Sequence, residues 1–391
     1  MRISEIAEAG SFPDQLINDF IKKGVKVEFG GHSEKFIKAA KLLVLSPGVN
    51  PDRSPLLEIA QTHNIPCVGE IELSSWLTRA KLIAITGTNG KTTTAHLIYQ
   101  LLKQREKRIF LGGNIGIPFS SFVLDTKKGD FIVLEVSSFQ LETIVEFRPY
   151  VAAFLNIEPD HLDRYSDFRD YFQAKLNIFK NQEKGDWAIL NKNMDFCTQV
   201  KKAVKSQTVY FSGEFPNENF SCAYKIAAVF GLGKADCGSI FSHFLGLPHR
   251  LQQIRQINKV TFINDSKATN PSSTAWALSN IKAPIILLAG GRDKGLDYSL
   301  IASCLKNIKK VNLFGEASGK IKEALGFKLE VEIFPSLEEA VLSSHREAVS
   351  GDTILLSPMC ASFDMFSDYE DRGNKFTEIV NNLPCTPEVQ G

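Results

Sequence analysis

The chain is sparing with cysteine, nearly balanced in charge and without any long apolar run. Seven cysteines (Cys67, Cys197, Cys222, Cys237, Cys304, Cys360 and Cys385) are scattered along 391 residues and never form a C-x-x-C pair. An odd, dispersed set argues against a disulfide framework and against a zinc site. Lysine and arginine number 45 against 44 acidic residues, so no net field draws in nucleic acid or an anionic lipid surface. No run is apolar for long enough to span a bilayer. The opening MRISEIAEAGSF lacks the basic region and apolar core of a secretory signal. A cytoplasmic protein with neither nucleic-acid nor membrane partners is expected. Repeats and low-complexity tracts are also missing.

One further absence is local. KLIAITGTNGKTTTAHLI, residues 81–98, looks like a phosphate-binding loop without its first glycine; Ile85 stands five residues before Gly90, where the usual G-x-x-x-x-G-K-[ST] pattern has it.

What is present is a rhythm of apolar strands and helix-length pieces. Hydrophobic residues make up 43% of the chain, enough to core two or three domains. Residues 1–80 read as a small parallel α/β unit. DQLINDFIKKG puts Leu16, Ile17, Phe20 and Ile21 on one helical face and stops at Gly24, while KVEF and KLLVLSPG read as buried strands. Residues 81–246 carry strands LIAIT, RIFLGG, FIVLEVS, VAAFLNI and WAILN. Residues 247–391 carry VTFIND, IILLAGG, KVNLFG, VEIF and TILLSP, separated by helix-length pieces, the pattern of another doubly wound sheet.

A strand feeding a glycine-rich turn and a helix aims backbone N–H groups at an anion. Gly87 and Gly90 let the turn close, Lys91 reaches terminal phosphates, and the Thr92 hydroxyl suits Mg²⁺. Thr93 and Thr94 add polarity. The plainer reading is a strand-turn-helix with an incidental lysine. Glu135, ending the strand in VLEVSSFQLE, suits Mg²⁺, although Ser137 and Gln140 also read as a helix cap. FLNIEPDHLDRY crowds Asp160, His161, Asp163 and Arg164 together, either as chemistry or as a solvated loop. Lys175, in the apolar setting of DYFQAKLNIF, reads by itself as a snorkelling lysine.

Taken together, these pieces resemble the Mur ligase family, whose loop is a short G-T-x-G-K-[ST] without the earlier glycine. GLPHRLQ, FINDSKATNPSST, LLAGGRDKG and LLSPMCASFDMFSDYEDRGNKF resemble its D-glutamate-adding branch. The resemblance implies three α/β domains: an incomplete N-terminal Rossmann-like unit for a UDP-sugar, a central P-loop ATPase domain and a C-terminal Rossmann-like domain for an amino acid. It implies a monomer that joins D-glutamate to UDP-N-acetylmuramoyl-L-alanine through an acyl phosphate, using ATP and two Mg²⁺ ions. ATP contacts would come from Gly87, Thr88, Asn89, Gly90, Lys91, Thr92, Thr93, Asn219, Arg250, Asp265 and Lys267. Thr92 and Glu135 would hold one Mg²⁺; His161 and Lys175, the latter as a carbamate, belong to the second, and Lys91, His161 and Lys175 form the catalytic set. Ser46, Gly48, Asn114, Ser137 and Gln140 would face the UDP-sugar substrate, and Thr269, Lys294, Ser362 and Tyr369 would face D-glutamate.

The chain departs from the family pattern in three places. Residues 1–30 lack the usual opening strand and glycine-rich turn, so about half of the first domain is expected to be missing, with the true start upstream. The stretch between TVYFSG and FGLG is short, and Phe215-Pro216 replaces a usual His-Asn, leaving Asn219 alone of that adenine-contacting set. The rival readings are a related ligase with another substrate and a catalytically impaired, ligand-binding homologue. The SKATN and SPMCASFDMF segments speak against the first, and the retained ionisable residues against the second.

Overall fold

A computed structural model of the protein describes residues 1–50, 54–105, 108–161, 164–244, 246–326 and 329–384, which leaves Asp163 and Cys385 outside the described residues. The chain forms two compact units, one of residues 1–156 and 172–241, the other of residues 157–171 and 242–391. Both are α/β, the class expected.

The first unit opens with four strands of three residues each: β1 Arg2–Ser4, β2 Lys26–Glu28, β3 Leu43–Leu45 and β4 Cys67–Gly69. They pair as two separate parallel sheets, β1 with β2 and β3 with β4. A cavity of about 690 Å³ lies among residues that include β1 and β3. The strands expected as buried are thus only half covered, Leu45 being the one buried residue of β2 and β3. The helix Asp14–Lys22 has its apolar stripe, yet Leu16 and Ile21 stay exposed, because a sheet of two three-residue strands is too small to cover it. Gly24 ends this helix at φ +73°, a conformation in which glycine carries no Cβ penalty. Glu72, fully buried, ties this region to the rest of the unit by accepting backbone N–H bonds from Val145, Glu146 and Phe147 at 2.8–2.9 Å.

The body of the unit is a six-stranded parallel sheet. Its strands are β5 Lys81–Thr86, β6 Ile109–Gly113, β7 Phe131–Glu135, β8 Val151–Phe154, β9 Trp187–Asn191 and β10 Gln207–Phe211, in the order β10-β9-β8-β5-β7-β6. Leu82 to Thr86, all of β7 and all of β8 are buried, the continuous burial of parallel strands covered on both faces. The helix Glu218–Val229 follows β10 after a short turn, in the stretch expected to be reduced.

The second unit holds β11 Gln252–Ile257, β12 Val260–Asn264, β13 Ile285–Gly290, β14 Ile308–Phe314, β15 Glu330–Phe334 and β16 Thr353–Leu356, in the order β11-β12-β16-β13-β14-β15. All pairs are parallel except the edge pair β11–β12. The sequence patterns pick out β12 to β16 but pass over β11, whose QQIRQI is too polar to read as apolar. Asp265, just after β12, is buried and accepts from Ser357 Oγ at 2.8 Å and from Leu251 N at 3.1 Å.

Burial lifts the Asp265 carboxyl from 3.8 to about 7, against the downward pull of the bonds from Ser357 and Leu251 and the charge of Arg250. A raised carboxyl stabilises the fold fully below about pH 4, and that contribution is lost as pH rises through about 7. Asp265→Asn, which keeps the shape without the charge, should therefore gain stability relative to the parent as pH rises. Urea unfolding at about pH 4.5 and about pH 8 should give a relative gain on the order of 2–4 kcal/mol. Parallel pH profiles for the two proteins would show that folding does not raise the Asp265 carboxyl.

Candidate active site

The glycine-rich turn begins where β5 ends. Gly87 has φ +151° and Gly90 has φ +81°. A Cβ on Gly87 would press on Leu155 and Asn156, and one on Gly90 would run into the Asn219 amide. These glycines are required by close approach as well as by φ. The helix Lys91–Lys103 starts directly behind them, so its first N–H groups and its dipole face the turn. Asn156, just beyond β8, braces the loop. Its Oδ1 accepts from Asn89 N at 2.8 Å, its Nδ2 donates to Asn89 O at 3.1 Å, and its carbonyl accepts from Thr88 N at 3.1 Å. Asn156 stands in FLNIEPDHLDRY ahead of the more conspicuous ionisable residues, and its signal is an amide just beyond the end of a buried strand.

Lys91 curls back over the turn, donating to Gly87 O at 2.9 Å and Thr88 O at 2.8 Å. Thr92 Oγ1 donates to Glu135 Oε2 at 2.7 Å, and Asn114 Nδ2 donates to Glu135 Oε1 at 2.8 Å. Glu135 is only 2% exposed. Asn114 and Glu135 come from the ends of β6 and β7, and Thr92 from the helix that follows neighbouring β5, so the order of the sheet assembles the cluster. Thr93 stands half-buried on the first turn of the helix. Asn219, at the start of Glu218–Val229, accepts from Thr94 Oγ1 at 3.3 Å. Ser137 and Gln140 form a reciprocal capping box on the short helix Ser138–Leu141, the local role their spacing also allowed. Ser46 and Gly48 are exposed after β3, away from this cluster in sequence and in sheet.

Lys175 does not snorkel. It is 2% exposed, and its Nζ donates to Gly87 O at 2.9 Å. A buried lysine touching the backbone of a glycine turn is placed by packing, not by chance exposure.

In the second unit, Asp160 is the hub. Lys294 Nζ donates to Asp160 Oδ1 at 3.0 Å, Asn270 Nδ2 donates to Oδ2 at 3.1 Å, and His161 Nε2 lies 3.8 Å from Oδ2. Burial would raise the Asp160 carboxyl, but the charges of Lys294 and His161 and the two hydrogen bonds hold it well below the usual carboxylate range. His161 adopts φ +55°, rare for a non-glycine residue. Lys294 is 12% exposed. Asn270 also caps the helix Pro271–Asn280. Lys267 Nζ stands 3.5 Å from the Tyr369 ring centroid, a cation–π contact, and Tyr369 Oη donates to Glu370 at 2.6 Å. Thr269 is half-buried, Ser362 is buried, and Arg250 lies in the turn before β11. Asp265, expected to face nucleotide, is turned inward on Ser357 and Leu251.

The first unit thus brings together Gly87 to Thr92, Asn114, Glu135, Lys175 and Asn219. The second gathers His161 and Lys294 on Asp160, and Lys267 on Tyr369. Among the described residues no group of three or more His, Cys, Asp and Glu suits a metal ion. The carboxylate and hydroxyl of Glu135 and Thr92 form an oxygen donor pair instead, the kind that Mg²⁺ takes alongside phosphate and water.

Residues 85–234 match the Mur ligase middle domain, and residues 249–360 match the Mur ligase glutamate ligase domain. A UDP-N-acetylmuramoylalanine–D-glutamate ligase of Koribacter versatilis is 39% identical over 406 residues, covering 94% of this chain and 89% of its own. The enzyme of the same name from Pelotomaculum thermopropionicum is 37% identical over 420 residues, covering 97% and 92%. Among solved structures, the UDP-N-acetylmuramate-alanine ligase MurC of Thermotoga maritima shares the fold at a TM-score of 0.60 and 17% identity, over 97% of this chain and 98% of that one. FolC of E. coli does so at 0.61 and 16%, over 83% and 96%. With both domain models matched and relatives above 35% identity along nearly its whole length, the chain belongs to the Mur ligase family.

Proposed function

We propose that the protein joins D-glutamate to UDP-N-acetylmuramoyl-L-alanine with ATP, in the synthesis of a peptidoglycan precursor. The observation that carries this reading is the buried Glu135 carboxylate held by Thr92 and Asn114 at the mouth of a glycine turn that Lys91 lies across. The shared name of the relatives supports the choice of substrates. We read the enzyme as a cytoplasmic monomer; no helix among the described residues is long and apolar enough to cross a membrane.

A carboxylate is a poor electrophile, so the chemistry needs activation. In this reading the muramoyl-alanine carboxylate takes the terminal phosphoryl group of ATP, releasing ADP. The D-glutamate amine then attacks the acyl carbon and phosphate leaves. The backbone N–H groups behind Gly87 and Gly90 receive the phosphates, and the Lys91 ammonium exchanges its present carbonyl partners for phosphate oxygens. Thr92 and Glu135 would hold one Mg²⁺; each in its own unit, His161 and Lys175, the latter as a carbamate, supply the kinds of ligand that a second ion takes, and bound Mg²⁺ would neutralise charge building on the phosphoryl oxygens. Asn114, Ser137 and Gln140 face the muramoyl-alanine end. Lys294, Thr269, Ser362 and Tyr369 receive D-glutamate, whose two carboxylates call for a cation and hydroxyl donors. Asn219, Arg250 and Lys267 serve the nucleotide.

The deciding experiment is phosphate release from ATP with UDP-N-acetylmuramoyl-L-alanine, with D-glutamate, without it, and with L-glutamate instead. Release should require both substrates and reject L-glutamate; release indifferent to the amino acid would remove this reading. Lys91→Ala should lower kcat by about 10²–10³, because a charged phosphate ligand is lost at the point where charge develops. Lys294→Ala should raise KM for D-glutamate about tenfold or more while ADP still forms with the first substrate alone. Equal loss of both half-reactions in that variant would contradict its assignment to the amino acid.

A further inference from the structure

Arg372 has no place in the site as described, yet it is completely buried, on the helix Tyr369–Asn382. Its guanidinium donates to neutral oxygens. Nε bonds Ser266 Oγ at 3.0 Å, Nη2 bonds Ser266 O at 2.8 Å and Cys360 O at 3.1 Å, and Nη1 bonds Ala361 O at 3.2 Å and Gly290 O at 3.5 Å. A buried charge is usually paired with an opposite charge. Here four main-chain carbonyls and the Ser266 hydroxyl solvate it, with the charge of Asp364 nearby, and among the described residues no carboxylate is hydrogen-bonded to it.

The partners matter more than their number. Ser266 follows β12 and adjoins Lys267, with Thr269 close behind. Gly290 ends β13, a few residues before Lys294. Cys360 and Ala361 lead into Ser362. One planar fork therefore binds the three strand-end loops that carry every D-glutamate candidate except Tyr369. Tyr369 sits on the helix of Arg372 itself, and its carbonyl accepts from Ser266 Oγ at 2.8 Å. The loops are also stitched to each other, since Arg292 N donates to Ala361 O at 2.9 Å. Gly373 lets the helix seat this deeply: a Cβ there would strike the His249 ring, and its carbonyl accepts from Asn264 Nδ2 at 2.8 Å.

We propose that Arg372 is a positioning residue for the amino-acid site, its guanidinium fixing the relative placement of Lys294, Ser362, Thr269 and Tyr369. This rests on the D-glutamate reading given above. A lysine could keep the charge, but its compact ammonium cannot serve three loops as a rigid fork does. The two properties can therefore be separated.

Steady-state kinetics of Arg372→Lys and Ser266→Ala, each with a thermal unfolding midpoint, test the assignment. Ser266→Ala removes the Nε acceptor and the tie to the Tyr369 carbonyl while leaving the guanidinium in place. KM for D-glutamate should rise about tenfold in the lysine variant and about threefold in Ser266→Ala, with KM for UDP-N-acetylmuramoyl-L-alanine within about twofold of the parent in both. An unchanged KM for D-glutamate in a folded Arg372→Lys overturns the proposal, as does a loss in which both KM values move together. If the lysine variant does not fold, Ser266→Ala decides by the same criterion. Failure of the parent chain itself to release phosphate in response to D-glutamate would instead sink the ligase reading, and this inference with it.

Discussion

Parallel pairing in register is the constraint on which the candidate site depends. In the first unit Ile85 pairs with Glu135, Glu135 with Gly113, and Thr86 with Phe154. Four strands therefore end side by side, and whatever follows them meets at one edge of the sheet. That edge receives the glycine turn after β5, Asn114 after β6, Glu135 itself and Asn156 beyond β8. Slipping one strand by a single residue would turn Glu135 to the other face and separate it from Thr92. The second unit repeats the device: Asn264 and Leu288 both pair with Leu356, and the loops at 265–269, 291–294 and 357–362 leave from the same edge.

Buried charge is handled differently at each position, and the differences follow function. Asp160 is matched by a lysine, a histidine and an amide. Arg372 is wrapped in carbonyls, while Asp265 keeps two hydrogen bonds and is pushed towards neutrality by burial. Charges that only held the fold together could be replaced by apolar side chains at little cost. Asp265 directly follows a strand end, and Arg372 reaches from its helix to three loops that leave strand ends, the edge at which open α/β sheets bind ligands.

The N-terminal region lacks this economy of register. Its two sheets have two three-residue strands each, its core is the small cluster around Ile37, Leu45, Leu56, Ala60 and Ile65, and a cavity separates residues that elsewhere would be packed. Few residues there are buried, so the apolar stripe of Asp14–Lys22 remains partly open to solvent. Glu72 is the exception, a fully buried carboxylate that closes three backbone N–H groups at once.

Much of this was legible in the sequence, for physical reasons. Continuous apolar runs ending in glycine or an acid specify buried parallel strands and their loops, so β5 to β9 and β12 to β16 could be read directly. The glycine turn could be located because glycines between an apolar strand and a helix mark it, and Glu135 because it closes the apolar run of β7. Polar β11 and the very short β1 and β4 could not, since their strand state comes from neighbours and not from pattern. Nor could the bracing by Asn156, the inward turn of Asp265, the burial of Lys175 or the role of Arg372. Asparagine, aspartate, lysine and arginine have the same local signature whether they face water or a core. By itself the sequence determined the α/β class, the strand-loop-helix elements and the chemical kinds of group at the strand ends. Only the tertiary structure decided which of those groups meet, because hydrogen bonds between residues far apart in the chain exist only after parallel register has brought their strand ends together.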